Sequence, residues 1–260
     1  MFVIKSNVAS SNTGLPVLAR DPLLADHNDG VLCMFDGGLP WSVPPVDPHD
    51  GAVINNMTEV GGNFDYMLGL DQDVAFLGNG FDTTGLALQP ACVRGPAGCL
   101  ASLQAEQQFL VAGVFRLPTA LDWAPVGKSM IMFCTTSVAN GYIAEADLIT
   151  LMQRGSGPFL TSRRQTNGGS TVAELNIAPT ADFYGQVVLV AMFRTATQTG
   201  FMMQSAAERT LVTGPAGALN SGNFAAKRPQ WGVPFSLNDL AGDATRRPAA
   251  KIRTYRGFIE

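Results

Sequence analysis

The chain has 260 residues, of which 46% are hydrophobic and 15% are charged, and its formal net charge is −4. This length suffices for one large sandwich or for a domain with an arm. The low content of charged residues suggests that part of the surface is hidden in an oligomer. The alternative explanation is a large β-sandwich whose surface is rich in Ser, Thr, Asn and Gln. The acidic balance argues against nucleic acid as a partner, because the one basic stretch, 246–256, is interrupted by Ala, Pro and Ile. We expect neither a secretory leader nor a membrane span, since no apolar run approaches about 18 residues.

Residues 1–70 differ from the rest of the chain in their density of chain-breaking residues. Pro, Gly, Asp and Asn recur in this segment, for example in GLPWSVPPVDPHDG, and hydrophobic periodicity is poor. We interpret it either as an extended N-terminal arm that docks on a neighbouring subunit or as a set of short edge strands. A boundary is therefore predicted at residue 70, followed by a single domain over 71–260.

From residue 71 onward, short apolar runs alternate with clusters of turn residues, and no sustained helical periodicity occurs. This pattern predicts an all-β fold, an antiparallel β-sandwich of the jelly-roll type. Only 236–242 invites a short helix, with Ser236 as a possible cap. The predicted strands are 73–78, 107–117, 129–136, 147–154, 171–177, 186–195, 201–204, 209–213 and 251–260.

Two of these strands are apolar on both faces. In the strand from Phe109 to Leu117, and again in the strand from Val187 to Arg194, consecutive side chains on both sides are apolar. Because alternate residues of a strand point to opposite faces, both faces should be covered. The second sheet would cover one face, and a loop, the N-terminal arm or another subunit would cover the other.

The block from about 107 to 260 resembles the concanavalin A-like lectin/glucanase superfamily in its laminin-G-like form. The resemblance rests on the order of the apolar strands, on the hairpin with strands 148–154 and 159–164, and on the step from Asp182-Phe183-Tyr184 into Val187–Arg194. It implies a concanavalin A-like sandwich of the kind found in phage tail and fibre proteins, often behind an N-terminal attachment segment. Phe183-Tyr184 replaces the frequent Trp-His of the family, and no matched set of calcium ligands is present.

Glu145 and Asp147 are the residues that best suggest an enzyme. Glucanases of the same superfamily place three acids at alternate positions of one strand, on one face, at a spacing that suits a glycosidase. Here the third position is Ile149, so the general acid is missing. Glu174 could in principle supply a second carboxylate from another strand, but we favour two solvated acids at a turn.

Metal and cofactor sites are not expected. His27 and His49 lie among carboxylates, which would suit a hard cation, yet polar turns explain both better. The stretch APVGKS at 124–129 lacks the first glycine of a phosphate loop.

Four aromatic residues in loop-like contexts are candidates for stacking on a glycan or for anchoring a subunit interface. They are Trp41, Trp123, Tyr142 and Trp231.

The four cysteines suggest thiols rather than a disulfide framework. Cys33 and Cys134 lie in apolar runs typical of buried thiols. Cys92 and Cys99 flank VRGPAG and could close a small loop, but two reduced thiols are the favoured interpretation.

The resemblance, together with the low charge content and the strands that are apolar on both faces, implies a non-enzymatic structural protein of a phage virion, assembled in the host cytoplasm. Its expected partners are other virion proteins and further copies of itself, with host polysaccharide as a further candidate. The alternatives are a carbohydrate-binding module and, less favoured, a glycoside hydrolase of the same fold.

Overall fold

The computed structural model describes residues 30–43, 49–58, 62–68, 74–85, 91–119, 130–136, 149–154, 159–165, 171–220, 223–233 and 252–260. These residues form sixteen strands and two short 3-10 helices, Ala101–Gln104 and Phe224–Ala226. The strands are β1 Cys33–Asp36, β2 Val53–Ile54, β3 Phe64–Leu68, β4 Ala75–Leu77, β5 Gly80–Asp82, β6 Ala91–Arg94, β7 Phe109–Arg116, β8 Met130–Thr136, β9 Ile149–Arg154, β10 Phe159–Gln165, β11 Thr171–Ile177, β12 Val187–Arg194, β13 Gln198–Gln204, β14 Arg209–Pro215, β15 Arg228–Val233 and β16 Arg253–Ile259.

The strands form two eight-stranded sheets in which every observed pairing is antiparallel. The first sheet runs β14-β13-β12-β7-β16-β5-β4, with β1 also paired to β16. The second sheet runs β11-β10-β9-β8-β15-β6-β3-β2. Strand pairs far apart in sequence, such as β7 with β16, give the crossing connections of a jelly roll, and the predicted antiparallel β-sandwich is thereby confirmed.

One hydrophobic core joins the two sheets. Phe115 and Phe201 of the first sheet pack into the same buried cluster as Phe64, Phe133 and Trp231 of the second sheet. Alternation explains the choice of residues, because Val188, Val190 and Met192 of β12 enter this cluster while their strand neighbours face outward.

Residues before 71 contribute to both sheets. β1 joins the first sheet and β2 and β3 join the second, and the side chains of Phe35, Phe64 and Tyr66 are almost fully buried in the core. The described part of the segment 1–70 therefore forms short strands, the second of the two interpretations given above. The sandwich thus includes residues on both sides of the boundary predicted at residue 70. Residues 1–29 lie outside the described residues, and an arm there stays a prediction.

Two local features stabilise the ends of the sandwich. The β4–β5 hairpin closes through Gly78 and Asn79, both with positive φ (53° and 67°), the combination that the tightest hairpin turns require. The second feature is the buried side chain of Arg194. It donates hydrogen bonds from Nη1 to the carbonyl of Glu106 (2.8 Å) and from Nε to the carbonyl of Ala216 (3.3 Å). This guanidinium thus holds together two loops that are distant in sequence.

Candidate functional site at the edge of the second sheet

The outer face of the second sheet carries a row of mostly polar residues; we call it the polar face. Strand register aligns one residue from each strand across the sheet. Val53, at the β2 edge, is exposed, Asp65 and Arg94 are partly exposed, and the middle of the row is buried. The β2–β3 edge is therefore one accessible part of the polar face among the side chains that the structure describes. In order, the row contains Val53, Asp65, Arg94, Gln230, Cys134, Thr150, Arg163 and Glu174.

The outer face of the first sheet has a different character; we call it the apolar face. Its central row is apolar in six successive strands, and the side chain of Leu211 at one end is 46% exposed. This row contains Leu211, Met202, Ala191, Ala112, Phe258 and Met34.

Asp65 is held by two arginines at the accessible edge of the polar face. Its Oδ1 accepts hydrogen bonds from Arg94 Nε (3.0 Å) and Arg228 Nη2 (2.9 Å), and its Oδ2 accepts one from Arg94 Nη2. Arg228 Nε also donates to the carbonyl oxygen of Gly95 at 2.5 Å. These hydrogen bonds hold the three charged side chains in place. Each side chain is 20–29% exposed and is therefore reachable from solvent.

The charges of this cluster perturb one another. Partial burial acts to raise the pKa of Asp65, but the hydrogen bond from Arg94 and the charges of both arginines outweigh it, and the pKa is lowered. The hydrogen bond to Asp65 raises the pKa of Arg94, whereas burial is the main cause that lowers the pKa of Arg228. Asp65 is consequently a permanent carboxylate near neutral pH.

Trp41 lies beside the same edge, in the turn that follows β1. The turn is fixed by hydrogen bonds from the amides of Ser42 (2.8 Å) and Val43 (3.0 Å) to the carbonyl of Leu39. Asn55, two residues beyond Val53, donates from Nδ2 to the carbonyl of Trp41 at 2.5 Å. The indole of Trp41 is 44% exposed. We call Trp41, Val53, Asn55, Asp65, Arg94 and Arg228 the edge site.

The structure separates the four aromatic candidates. Trp41 is exposed in a turn, as its sequence context predicted. The loop context assigned to Trp231 is wrong: this residue lies in β15, is 1% exposed, and donates from Nε1 to the carbonyl of Ala112 at 3.1 Å. Its indole packs against Phe35, Phe64 and Phe133, so it is a core residue and cannot stack on a glycan. Trp123 and Tyr142 lie outside the described residues.

The candidate acids and histidines are only partly described. Glu145, Asp147 and His27 lie outside the described residues, as does the predicted helix at 236–242. Glu174 lies on β11, where its Oε1 accepts a hydrogen bond from Asn176 Nδ2 (3.3 Å), and His49 is exposed in a turn. Within the described ranges, no group of three or more His, Cys, Asp or Glu residues could hold a metal ion, and no helix is long and apolar enough to cross a membrane.

Sequence reasoning missed Asp65, Arg94 and Arg228. Arg94 lies 29 positions from Asp65 and Arg228 lies 163 positions from it. The only local signal was a charged residue at an outward position of a short apolar strand, as in FDYML and ACVR.

The two-sheet architecture with crossing connections defines an all-β protein of the sandwich class. Within this class the chain has the concanavalin A-like fold, and the fold predicted from the resemblance is confirmed. No family model and no curated protein sequence matches the chain.

Three solved structures illustrate the likeness. The receptor binding domain of botulinum neurotoxin D is 12% identical, with a TM-score of 0.52 over 89% of this chain and 49% of that chain. The exoplasmic/lumenal domain of VIP36 in its Ca²⁺/Man2-bound form is 9% identical, with a TM-score of 0.47 over 75% and 80%. Lectin II from Ulex europaeus is 11% identical, with a TM-score of 0.44 over 81% and 98%. At these identities the likeness concerns the fold alone.

Proposed function

We propose that the protein binds glycans without cleaving them, through the edge site, and that it is a structural protein of a phage virion. The observation that carries the glycan-binding proposal is an exposed tryptophan, Trp41, whose turn is bonded through Asn55 to the end of β2, in a sheet whose adjacent strand β3 carries a partly exposed cluster of one carboxylate and two guanidinium groups. The concanavalin A-like fold, whose sheets support recognition surfaces, is compatible with this proposal.

The chemistry of the edge site suits a sugar. A pyranose ring presents an apolar face of C–H groups and a rim of hydroxyl groups that both donate and accept hydrogen bonds. The indole of Trp41 offers a flat apolar surface for the ring face, and planar carboxylate and guanidinium groups offer paired hydrogen bonds for the rim. Because Asp65 is already oriented by two arginines, little side-chain entropy would be lost on binding.

The same cluster opposes catalysis by Asp65. A glycosidase needs one carboxylic acid that is protonated near neutral pH, whereas Arg94 and Arg228 keep the pKa of Asp65 low. We expect no release of reducing sugar from any polysaccharide that the protein binds. Sugar release that is lost in Glu145→Gln would contradict the non-enzymatic proposal.

A glycan array with three forms of the full chain tests binding. We expect the wild type to bind at least one polysaccharide, and Trp41→Ala to weaken that binding about tenfold, equivalent to about 1.4 kcal/mol. Leu77→Ala is the matched control, because Leu77 is similarly exposed (48%) but lies in β4 at the edge of the first sheet, outside both the edge site and the apolar row. Absence of glycan binding by the wild type, or equal binding by all three forms, would overturn the assignment of the edge site.

The virion proposal is supported by the apolar face and by the low charge content. On the apolar face, Val187 of β12 is 49% exposed and Leu211 of β14 is 46% exposed. Three further apolar residues on this face are half-buried: Met202, Leu189 and Phe193. A surface of this kind suits packing between protein subunits. We expect light scattering to show a stable homo-oligomer that Leu211→Asp dissociates, and a wild type that stays monomeric at micromolar concentration would contradict this part of the proposal.

A further inference from the structure

The strand β14 is an unusually long and regular edge of the first sheet. The other strands that end the described sheets are either very short, with four residues in β1, two in β2 and three in β4, or irregular, because the register of β11 with β10 shifts. β14 has seven residues and pairs with β13 in an unbroken register. Natural proteins protect long edges with bulges, charges or proline. In β14 the only charged residue is the first, Arg209, and the only proline is the last, Pro215.

The backbone of β14 presents a row of hydrogen-bonding groups along its outer edge. In the turn between β13 and β14, the amide of Ser205 donates to the carbonyl of Glu208 at 2.8 Å, so these two residues are a hydrogen-bonded pair. Because hydrogen-bonded and non-hydrogen-bonded pairs alternate along an antiparallel ladder, the even-numbered residues of β14 bond to β13. The amides and carbonyls of Arg209, Leu211 and Thr213 therefore point away from β13, on a side where no described strand pairs with β14.

The inner face of β14 is already covered, whereas its edge and its outer face are open. Leu175 of β11 lies beneath the strand, since a Cβ added to Gly214 would be 3.4 Å from Leu175 Cδ2. On the outer face the side chains of Arg209, Leu211 and Thr213 are exposed, and Leu211 ends the apolar row of the first sheet. A partner can therefore reach β14 from the side but not from beneath.

We propose that β14 pairs with β14 of a second copy of this chain, antiparallel and about a two-fold axis at Leu211, so that the two first sheets become one continuous sheet. The proposal rests on the homo-oligomer proposed above and specifies its interface. In this register Leu211 lies opposite the partner's Leu211, and Arg209 lies opposite the partner's Thr213. Each hydrogen-bonded pair exchanges two backbone bonds, so the three pairs across the axis supply about six hydrogen bonds.

The sequence of β14 suits a second copy of the same strand. A two-fold axis makes one strand its own complement, so no other sequence is needed. Leu211 covers its counterpart, which buries a side chain that is 46% exposed and extends the apolar row across both subunits. Like charges do not meet, because Arg209 faces a threonine and its two copies are four residues apart along the strands, about 14 Å.

Sedimentation of the full chain tests the pairing at the edge. We expect the wild type to be a dimer at micromolar concentration. Thr213→Pro removes an outward amide from each copy but leaves the bonds to β13 intact, as proline does on an edge strand. We expect it to raise the Kd of the dimer about a hundredfold. Thr213→Ala is the matched control, because it keeps the amide and should form dimers as the wild type does.

Thiol cross-linking tests the register. Leu211→Cys places two thiols at the axis, on residues whose Cα atoms are about 5.5 Å apart in a hydrogen-bonded pair. In Arg209→Cys, the exposed control on the same strand, the two copies are about 14 Å apart. With a cross-linker too short to span the second distance, we expect a covalent dimer of Leu211→Cys and none of Arg209→Cys. Both variants keep the four native cysteines, so any difference reports the position of the new thiol.

These results separate the edge pairing from the homo-oligomer on which it rests. A wild-type monomer would overturn both. A wild-type oligomer that persists unchanged in Thr213→Pro would overturn the edge pairing alone and leave packing between apolar faces. Equal cross-linking of the two cysteine variants, or none of Leu211→Cys, would overturn the two-fold register. The cross-linking leaves the backbone of β14 unaltered, so it decides the proposal even where Thr213→Pro does not fold.

Discussion

Replacement of Trp231 by alanine tests the central part of the core. The indole lies between the sheets, with ring centroids 5.0 Å from Phe133 and 5.6 Å from Phe35, and it is 1% exposed. Its Nε1 donates to the carbonyl of Ala112 in the opposite sheet. The substitution therefore removes a large apolar group, aromatic contacts and a hydrogen bond between the sheets.

The size of the effect can be worked from this environment. A buried indole removes about 200 Å² from water, which at about 25 cal/mol per Å² corresponds to about 5 kcal/mol of transfer free energy. Alanine retains part of this term, and measured losses for Trp→Ala in cores are about 3–5 kcal/mol. Since the free energy of unfolding of a domain is about 5–15 kcal/mol, this one change should remove a large part of it.

Urea unfolding followed by far-UV circular dichroism measures the loss, with Trp41→Ala as the matched control. The same chemical change at exposed Trp41 should cost about 1 kcal/mol or less. A loss below about 1 kcal/mol for Trp231→Ala, or equal losses for the two variants, would refute the placement of Trp231 between the sheets.

Three further changes probe the polar interactions and the packing. Because the pKa of Asp65 is lowered in the folded protein from an unfolded value of about 3.9, its stabilising effect is present at neutral pH and is lost as the pH falls through the folded value. Asp65→Asn should therefore lower the free energy of unfolding by about 1–2 kcal/mol at pH 7, and by less at pH 3, as measured by urea unfolding against the wild type. The same difference at both pH values would contradict a stabilising role of the ion pairs. Arg194→Lys should lose about 2–3 kcal/mol in the same assay, because an ammonium group cannot reach the carbonyls of both loops, and a wild-type result would show that the loops hold without it. Gly257→Ala would place a Cβ 2.6 Å from atoms of Phe35 and Trp231 and should cost about 1–3 kcal/mol by thermal or urea unfolding, whereas a neutral result would indicate looser packing.

The strands that could be predicted are those with long apolar runs. Those predicted at 107–117 and 186–195 are observed at Phe109–Arg116 and Val187–Arg194, because alternation on both faces leaves few other ways to bury so many apolar groups. The strand Arg228–Val233 was missed, since Pro229 and Gly232 inside it are typical of turns. This omission led directly to the wrong assignment of Trp231.

The candidate site was less accessible to prediction than the fold. Trp41 could be chosen because an isolated tryptophan among Pro and Gly indicates a turn. The ion pairs of Asp65 with Arg94 and Arg228 could not, because they depend on the order of strands in the sheet, which no local pattern specifies.

The central position of β16 imposes an order on folding. Residues 253–259 separate β7 from β5 and β1, although all three of these strands are synthesised much earlier. Until these residues leave the ribosome, the edge of β7 that β16 will cover presents unpaired amide and carbonyl groups, which is a hazard for association with other chains. The first sheet is thus completed by insertion of a strand rather than by growth at an edge. Substitutions in β16 should accordingly reduce the yield of folded protein more than they reduce the stability of molecules that have folded.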